Sequence, residues 1–409
     1  MSVFDDLVDQ QRVVETLRDA VVNADQRGMT HAWLFTGPPG SGRSIAARAF
    51  AAALQCTAPS ASAGPISRPD DGVAPGCGSC VECHTVLAGT HADVEFVRPQ
   101  GLSLGVREAR ELVGRAALAP SGQKWQVIVI EDADRLTEGA ANVLLKAIEE
   151  PAPRTVWLLC VPSAQDLVIT IRSRCRVVAL RTPTADAVAS VLVSRDGIDP
   201  GMALFAGRAA AGHVGRARRL ATDDAARARR SAVLRIPGSL TDVGRCLDAA
   251  DRLVKAVNAE AVEMTSGLDE AETASLKEAF GEGGTATGLG RGSAASAATR
   301  GAVRAAAAAL KDLEGRQKSR ATRAGRDALD RALTDLAGFY RDVLIVQLGA
   351  DVAIAASDES AAIHEWASSS TAEATVRRLD AILACRASLD ANANPLLCVE
   401  SLMLSLAAG

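Results

Sequence analysis

The sequence predicts a mixed α/β domain with a mainly parallel sheet built around a phosphate-binding loop, followed by a largely helical remainder. Three observations predict it. Residues 32–46 read Ala-Trp-Leu-Phe-Thr-Gly-Pro-Pro-Gly-Ser-Gly-Arg-Ser-Ile-Ala: an apolar run enters a glycine-rich turn and leaves as a helical run. Short apolar runs then alternate with helical patterns to about residue 180, the mark of parallel strands joined by crossover helices. From about Thr182 onward the pattern is almost entirely helical.

The totals set bounds. The 409 residues suffice for two or three domains, and 48% hydrophobic residues supply a sizeable core. Aromatics are only 3%, so the core draws on Ala, Val and Leu, a composition that favours helices packed through small side chains. A net charge of −4 excludes nucleic-acid binding by bulk charge and leaves only local patches. No run approaches the ~18 apolar residues of a membrane span. The start, Met1 to Leu7, is acidic and lacks the basic opening of a signal peptide. The expectation is a cytoplasmic chain with reduced thiols. Nine Cys then call for a metal or for burial before disulfides.

Taken in order, Leu7, Val13, Val14, Leu17, Val21 and Val22 recur at helical spacing and predict a helix ending near Gly28. Trp33 to Thr36 is the strand that feeds the loop, and its helix should run from about Ser44 to Leu54. Gly37, Gly40 and Gly42 carry no side chains, so successive amides can point into one concavity and hold phosphate oxygens. The helix N-terminus behind them adds partial positive charge. The cradle comprises Gly37, Pro38, Pro39, Gly40, Ser41, Gly42, Arg43 and Ser44, with Ser44 where a hydroxyl would ligate magnesium. Arg43 stands where the motif has Lys. A compact ammonium reaches between phosphates, whereas a guanidinium is a planar fork of different length. Three states stay open: ATP or ADP with Mg2+ bound without turnover, slow turnover, and a glycine loop without nucleotide.

A cysteine insertion follows: Cys56, then Cys77-Gly-Ser-Cys80-Val-Glu-Cys83-His84. Two overlapping Cys-x-x-Cys steps and one remote Cys make four sulfurs. Short turns of this kind converge on one tetrahedral ion, so a structural Zn2+ is expected. A redox Cys-x-x-Cys is the rival, but redox chemistry needs no third and fourth Cys. His84 could replace one sulfur, although its adjacency to Cys83 would strain the pair; a surface His is the plainer reading. The Pro/Gly/Ser/Ala-rich segment between Cys56 and Cys77 reads as a mobile loop.

Residues 94–97 form the next expected strand, and Val106 to Leu118 a helix. Trp125 to Ile130 is a buried strand ending in Glu131-Asp132-Ala133-Asp134. An apolar strand followed by acids is where one carboxylate holds magnesium and the next orients water. The usual order is Asp-Glu; Glu131-Asp132 reverses it, which again argues against efficient hydrolysis. A solvated strand end is the alternative. A helix from Ala140 to Glu150 should stop at Pro151, followed by a strand at Thr155–Val161. Residues 168–175 read Val-Ile-Thr-Ile-Arg-Ser-Arg-Cys, and Arg176 to Leu180 is a further strand. Residues 202–235 carry a run of Arg among Ala, read as solvated helix faces or as a DNA-backbone patch. Residues 281–301 are Gly/Ser/Ala/Thr-rich and read as a flexible insertion. Helical patterns resume at 302–349 and 372–407, and no internal repeat is evident.

Together these residues resemble the AAA+ subunits of the bacterial DNA polymerase III clamp loader. The marks are the early glycine loop, the four-cysteine insertion after its helix, Glu131-Asp132-Ala133-Asp134, the run Asn142-Val-Leu-Leu-Lys-Ala-Ile-Glu-Glu-Pro151, and Ser173-Arg174-Cys175. They cover residues 1–180 in family order. The resemblance implies an α/β AAA+ P-loop domain at 1–180 with a zinc module at about 55–90. It also implies a small helical lid at 181–240 and an all-α collar domain at 241–409.

The family contains an ATP-hydrolysing motor type and a non-motor, delta-prime type. Arg43 and the reversed Glu131-Asp132 pair favour the non-motor type. So does Gly212-His213-Val214-Gly215-Arg216, which matches the motor's sensor segment with Gly215 at the sensor position. Val161-Pro162 replaces the motor's polar sensor. In the family the arginine of Ser-Arg-Cys reaches into a neighbour's ATP site, and Arg174 matches it. By resemblance the partners are the delta and gamma/tau subunits, the sliding clamp and primer-template DNA, and polymerase activity belongs to the complex. An active motor subunit is the first alternative. A free-standing zinc-dependent nucleic-acid module is the second, although the residues around Cys77–Cys83 include no Lys or Arg.

Overall fold

The computed structural model describes residues 2–24, 29–58, 75–99, 101–122, 124–280 and 293–409, side chains at 293–303 and 357 excepted. The chain divides into two compact units. The first comprises Met1–Pro99 and Ser103–Asp224, the second Gln100–Leu102 and Ala225–Gly409.

The first unit opens with turns and α1 (Gln11–Val22). The helix starts later than the apolar spacing suggests, because Asp9 adopts a left-handed φ of 59° that breaks helical geometry before it. Leu7 therefore lies outside the helix, buried against Gly42. The helix also stops short of Gly28. Asn23 caps it, donating from its amide and its side chain to the Asp19 carbonyl. Residues 25–28 lie outside the described residues, as do 59–74 of the expected mobile loop.

The sheet follows: β1 (Ala32–Thr36), β2 (Val94–Val97), β3 (Gln126–Ile130), β4 (Thr155–Val161) and β5 (Arg176–Ala179). Its order is β2-β3-β4-β1-β5 and every pairing is parallel. β1, β3 and β4 are buried throughout, which is why they read as continuous apolar runs. Alternate side chains serve opposite faces. Trp33, Phe35, Val127, Val129, Leu158 and Cys160 join one core with α2 (Arg43–Gln55), whose Phe50 ring lies 4.9 Å from Trp33. Leu34, Ile128, Ile130, Trp157 and Leu159 join the other core.

That second face is covered by α4 (Val106–Ala116) and α5 (Glu138–Glu149), after α3 (Val81–Ala88) has followed the cysteine insertion. α5 begins sooner than Ala140 because Thr137 caps it, its hydroxyl accepting from the Ala140 amide at 3.2 Å. A single turn, α6 (Ile169–Arg172), precedes β5. Three helices complete the unit: α7 (Ala185–Asp196), α8 (Pro200–Ala209) and α9 (Val214–Thr222). A β-carbon at Gly207 would lie 2.6 Å from the Ala185 carbonyl, so only glycine permits the α7–α8 approach.

The second unit is helical: α10 (Asp224–Leu234), α11 (Val243–Ala279), α12 (Ser293–Leu348), α13 (Ser360–Ser369), α14 (Ala372–Asp390) and α15 (Pro395–Ala408). Its core gathers Leu253, Leu333, Leu336, Phe339, Tyr340, Ile363, Ile382 and Met403. Arg378 lies over the Tyr340 and Trp366 rings. Of the expected flexible insertion, 281–292 lie outside the described residues and 293–301 are helical. Ser-Ala-Ala-Ser-Ala-Ala at 293–298 is dominated by the strongest helix former.

The α/β architecture expected for residues 1–180, and the helical remainder, are thus present. Among the described residues, no helix is long and apolar enough to cross a membrane.

Candidate functional site

The loop after β1 lies at the C-terminal edge of the parallel sheet, the edge where open α/β sheets bind ligands. Gly37, Gly40 and Gly42 take φ values of 155°, 88° and 92°. A β-carbon at Gly37 would fall 2.6 Å from Ser41 Oγ, and one at Gly40 would fall 2.7 Å from His213. The first helical turn of α2 follows at Arg43 and Ser44, whose amides have no carbonyl within the helix to bond.

The rim of this cradle is tied to its own chain. The Gly37 amide donates to the Pro162 carbonyl at 3.1 Å, and the Ser41 amide to the Pro38 carbonyl at 3.1 Å. The Arg43 guanidinium donates to the Gly37 carbonyl. Gln10 Nε2 donates to the carbonyls of Ser41 and Arg181 at 3.3 and 2.6 Å. Ser41 Oγ is buried and has no hydrogen-bond partner among the described residues.

Glu131 and Asp132 stand at the end of β3, at the same C-terminal edge of the parallel sheet as the loop. Arg48, on α2, lies 3.8 Å from Glu131 and its guanidinium stacks 4.0 Å from the Phe96 ring centre. Asp132 holds a left-handed φ of 52°. Burial, with the charge of Asp132 nearby, raises the Asp134 carboxyl above the usual range, and its Oδ1 has no hydrogen-bond partner among the described residues. The segment Gly212–Arg216 reaches the loop through His213, which caps α9 by accepting from the Arg216 amide at 3.3 Å.

Cys56, Cys77, Cys80 and Cys83 converge from the end of α2 and the start of α3. Their sulfurs all lie within 4.8 Å of one another. Sulfurs about 2.3 Å from one tetrahedral ion sit about 3.8 Å apart, so this pocket could hold a metal ion. The donors around it suit thiolates. The Cys77 amide points at Cys56 Sγ, the Ser79 and Cys80 amides at Cys77 Sγ, and the Cys83 amide at Cys80 Sγ, at 3.3–3.4 Å. Burial pushes the Cys80 thiol up, but amides of Cys83 and Thr57 outweigh it and bring it down to about 6. Hydrogen bonds from Ser79 lower Cys77, while burial raises Cys83. His84 is exposed and outside the cluster.

Arg174 is exposed one residue after Ser173. It pairs with Glu149 at the end of α5 and donates to the Thr170 carbonyl at 2.7 Å. Around it Val168, Ile169 and Val177 are exposed, Ile169 by 67%.

The family model described as "DNA polymerase III, delta subunit" matches residues 10–184. The tau subunit of DNA polymerase III from Bacillus subtilis is 31% identical over 185 residues, 45% of this chain and 30% of that protein. The delta-prime subunit of the same organism is 30% identical over 194 residues, 47% of this chain and 54% of that one. The delta-prime subunit of Haemophilus influenzae is 36% identical over 124 residues, 30% and 38% of the two chains. Over residues 10–184, then, this chain is similar to DNA polymerase III subunits of the delta-prime and tau types. Its match spans about a third to a half of the length of these relatives. Among solved structures, a gamma subunit-related protein from Thermotoga maritima has a TM-score of 0.40 at 15% identity, covering 98% of this chain and 99% of that one.

Residues 37–44 run from the loop after β1 into the first turn of α2, Glu131 and Asp132 follow β3, and the four expected cysteines share one pocket. Arg174 stands apart from both groups, on the surface. Sequence reasoning missed Gln10, Arg48 and Glu149, because their roles depend on partners 25 to 171 residues away. The Arg run at 202–235 does not form a free cationic face throughout. Arg230 is buried with Asp335 and Asp358, Arg218 meets Asp196, and Arg229 meets Glu260 and Glu263.

Proposed function

We propose that this chain is the non-motor, delta-prime-type subunit of the clamp loader. It would help to load the sliding clamp onto primer-template DNA beside delta and gamma/tau subunits in the cytoplasm. The observation that carries the reading is the state of the phosphate cradle. Arg43, standing for the motif's Lys, spends its guanidinium on the Gly37 carbonyl of its own loop. Glu131, standing for the magnesium-binding acid, faces the cation of Arg48. Gly215 offers no side chain where a motor subunit has a sensor. If ATP or ADP binds, residues 37–44 would hold its phosphates, with Ser44, Glu131 and Asp132 toward magnesium, and turnover would be slow or absent.

The chain's catalytic contribution would be made in trans. Arg174 is exposed and rimmed by Val168, Ile169 and Val177; its guanidinium rests on the Thr170 carbonyl and Glu149, contacts it would exchange for a neighbour's phosphate. An arginine among exposed apolar side chains is the composition of an interface anchor. Inserted into a neighbour's ATP site, it would stabilise charge on the transferring phosphoryl group. The four-cysteine pocket is proposed to hold zinc, which would supply a tetrahedral clamp between the end of α2 and α3.

The experiment is titration calorimetry of the isolated chain with ATP and ADP in the presence of magnesium, together with an ATP hydrolysis assay. No binding, or binding without turnover, supports the non-motor reading. The motor reading is supported by 30–31% identity to tau and gamma/tau subunits. Turnover that Arg43→Ala abolishes would establish it instead.

A further inference from the structure

We infer that the outer face of α12 between Arg304 and Thr322 docks on the phosphate backbone of a nucleic-acid duplex. The proposal deepens the clamp-loader reading, from which it takes DNA as a partner, by naming the surface, and its test on the isolated chain fails or succeeds separately from the ATP measurements above.

α11 and α12 run antiparallel and meet along a seam. Glu260 pairs with Arg331 at 3.1 Å. Further along, Asp269 and Glu272 take the Arg320 guanidinium at 2.6 and 2.8 Å. Gln317 donates to the Asp269 carbonyl at 2.9 Å, and Leu313 is buried. Arg326 of α12 donates to the Leu389 carbonyl of α14 and to Asn392 just beyond it. N-terminal to that point, α12 turns one face to α11; Gly101 packs beside Ser319 at the flank, and Arg304, Ala308, Lys311, Gly315, Lys318 and Thr322 opposite are exposed.

The opposite face has a distinct composition. Arg304, Lys311 and Lys318 recur every seventh residue and are all exposed. At 3.6 residues per turn they drift by only about 20° per step and stand about 10.5 Å apart along the axis. Between them lie Ala308, Gly315 and Thr322, also exposed. A β-carbon at Gly315 would meet nothing within 4 Å. This stripe lies about 180° from Leu313 and its seam. Asp312 stands about 100° from Lys311, whereas Glu314 flanks the stripe, about 60° from Lys311 and about 40° from Lys318, so the three cations face a polyanion beside one carboxylate.

Small side chains between regularly spaced cations let an extended polyanion approach the helix closely. The stripe holds no exposed aromatic, Leu, Ile or Met residue, so it lacks the anchors on which protein partners rely. It likewise lacks the aromatic platforms on which single strands stack. It has no Asn or Gln for base edges. Cations alone contact phosphates, without reading sequence. The net charge of −4 leaves such a local patch as the means of contact.

The test is fluorescence anisotropy of the full chain with a labelled mixed-sequence DNA duplex across a salt series. The variants are the triple Arg304→Ala/Lys311→Ala/Lys318→Ala and a control triple, Arg245→Ala/Arg252→Ala/Lys255→Ala, which removes as many exposed cations from α11. Alanine maintains the helix, and circular dichroism checks that. The stripe triple should weaken binding roughly 10–100-fold at about 0.1 M salt and lower the salt slope by about 2.7, at roughly 0.9 per phosphate. The control should retain the slope. Equal losses in both triples, an unchanged slope in the stripe triple, or no binding by the unaltered chain would overturn the proposal. Single-stranded DNA bound as tightly through the same residues would overturn the duplex assignment.

Discussion

Arg48 lies 3.8 Å from Glu131 while its guanidinium covers the Phe96 ring at 4.0 Å. One cation from the loop's own helix thus faces the first acid after β3 and fastens it to β2. A carboxylate paired in this way is held for structure, and a bound magnesium ion would have to compete with Arg48 for it. Arg48→Met should therefore cost about 1–2 kcal/mol of stability, from the ring contact and the half-buried pair. Urea unfolding with an unchanged slope checks it. The same variant should not gain ATP turnover, because Arg43 still differs from the motif's Lys.

Removal of any one pocket sulfur should empty the metal site. For Cys77→Ser, metal analysis should show loss of the single zinc equivalent and thermal unfolding should begin earlier. Cys398→Ser, outside the cluster, should retain the metal. Equal metal content in both variants would sink the zinc assignment.

Arg174→Ala should leave folding stability within about 0.5 kcal/mol, since an exposed ion pair contributes little. In a reconstituted complex with gamma/tau and delta subunits it should cut clamp- and DNA-stimulated ATPase by up to ~10³-fold, the scale of arginine-finger loss. Arg174→Lys should not restore it, because the planar fork is missing. Unchanged ATPase would remove Arg174 from the reaction.

Asp93 supplies a pH prediction. Burial pushes its carboxyl up, but the amide and hydroxyl of Ser121 and the amide of Gly122, all within 3.0 Å, outweigh burial and hold it below its usual value. A lowered folded-state pKa means that this stabilisation is present above the unfolded value, about 3.9, and is lost as pH falls through the folded one. Asp93→Asn should cost about 1.5–3 kcal/mol at neutral pH. The difference from the unaltered chain should shrink in acid, as followed by urea unfolding across a pH series.

Much of the first unit was legible because its signals are local. β1, β3 and β4 are buried on both faces, so each reads as an unbroken apolar run. Boundaries were less legible where one backbone conformation decided them. Asp9 ends any helix through Leu7, and Asn23 stops α1 before Gly28. The Arg run at 202–235 was ambiguous for a different reason. Arg230 is buried by acids more than 100 residues further along the chain.

By itself the sequence determined the glycine turn after an apolar strand, the four-cysteine spacing, the acids after β3 and the helical character of the second half. Each depends on backbone preferences and periodicity within a few consecutive residues. Tertiary structure alone decided which charges those elements would meet. Arg48 faces Glu131, Glu149 takes Arg174, and Gln10 ties Ser41 to Arg181. Those pairings depend on how separate helices and strands pack, and a charge carries no mark in the sequence of the partner it will find.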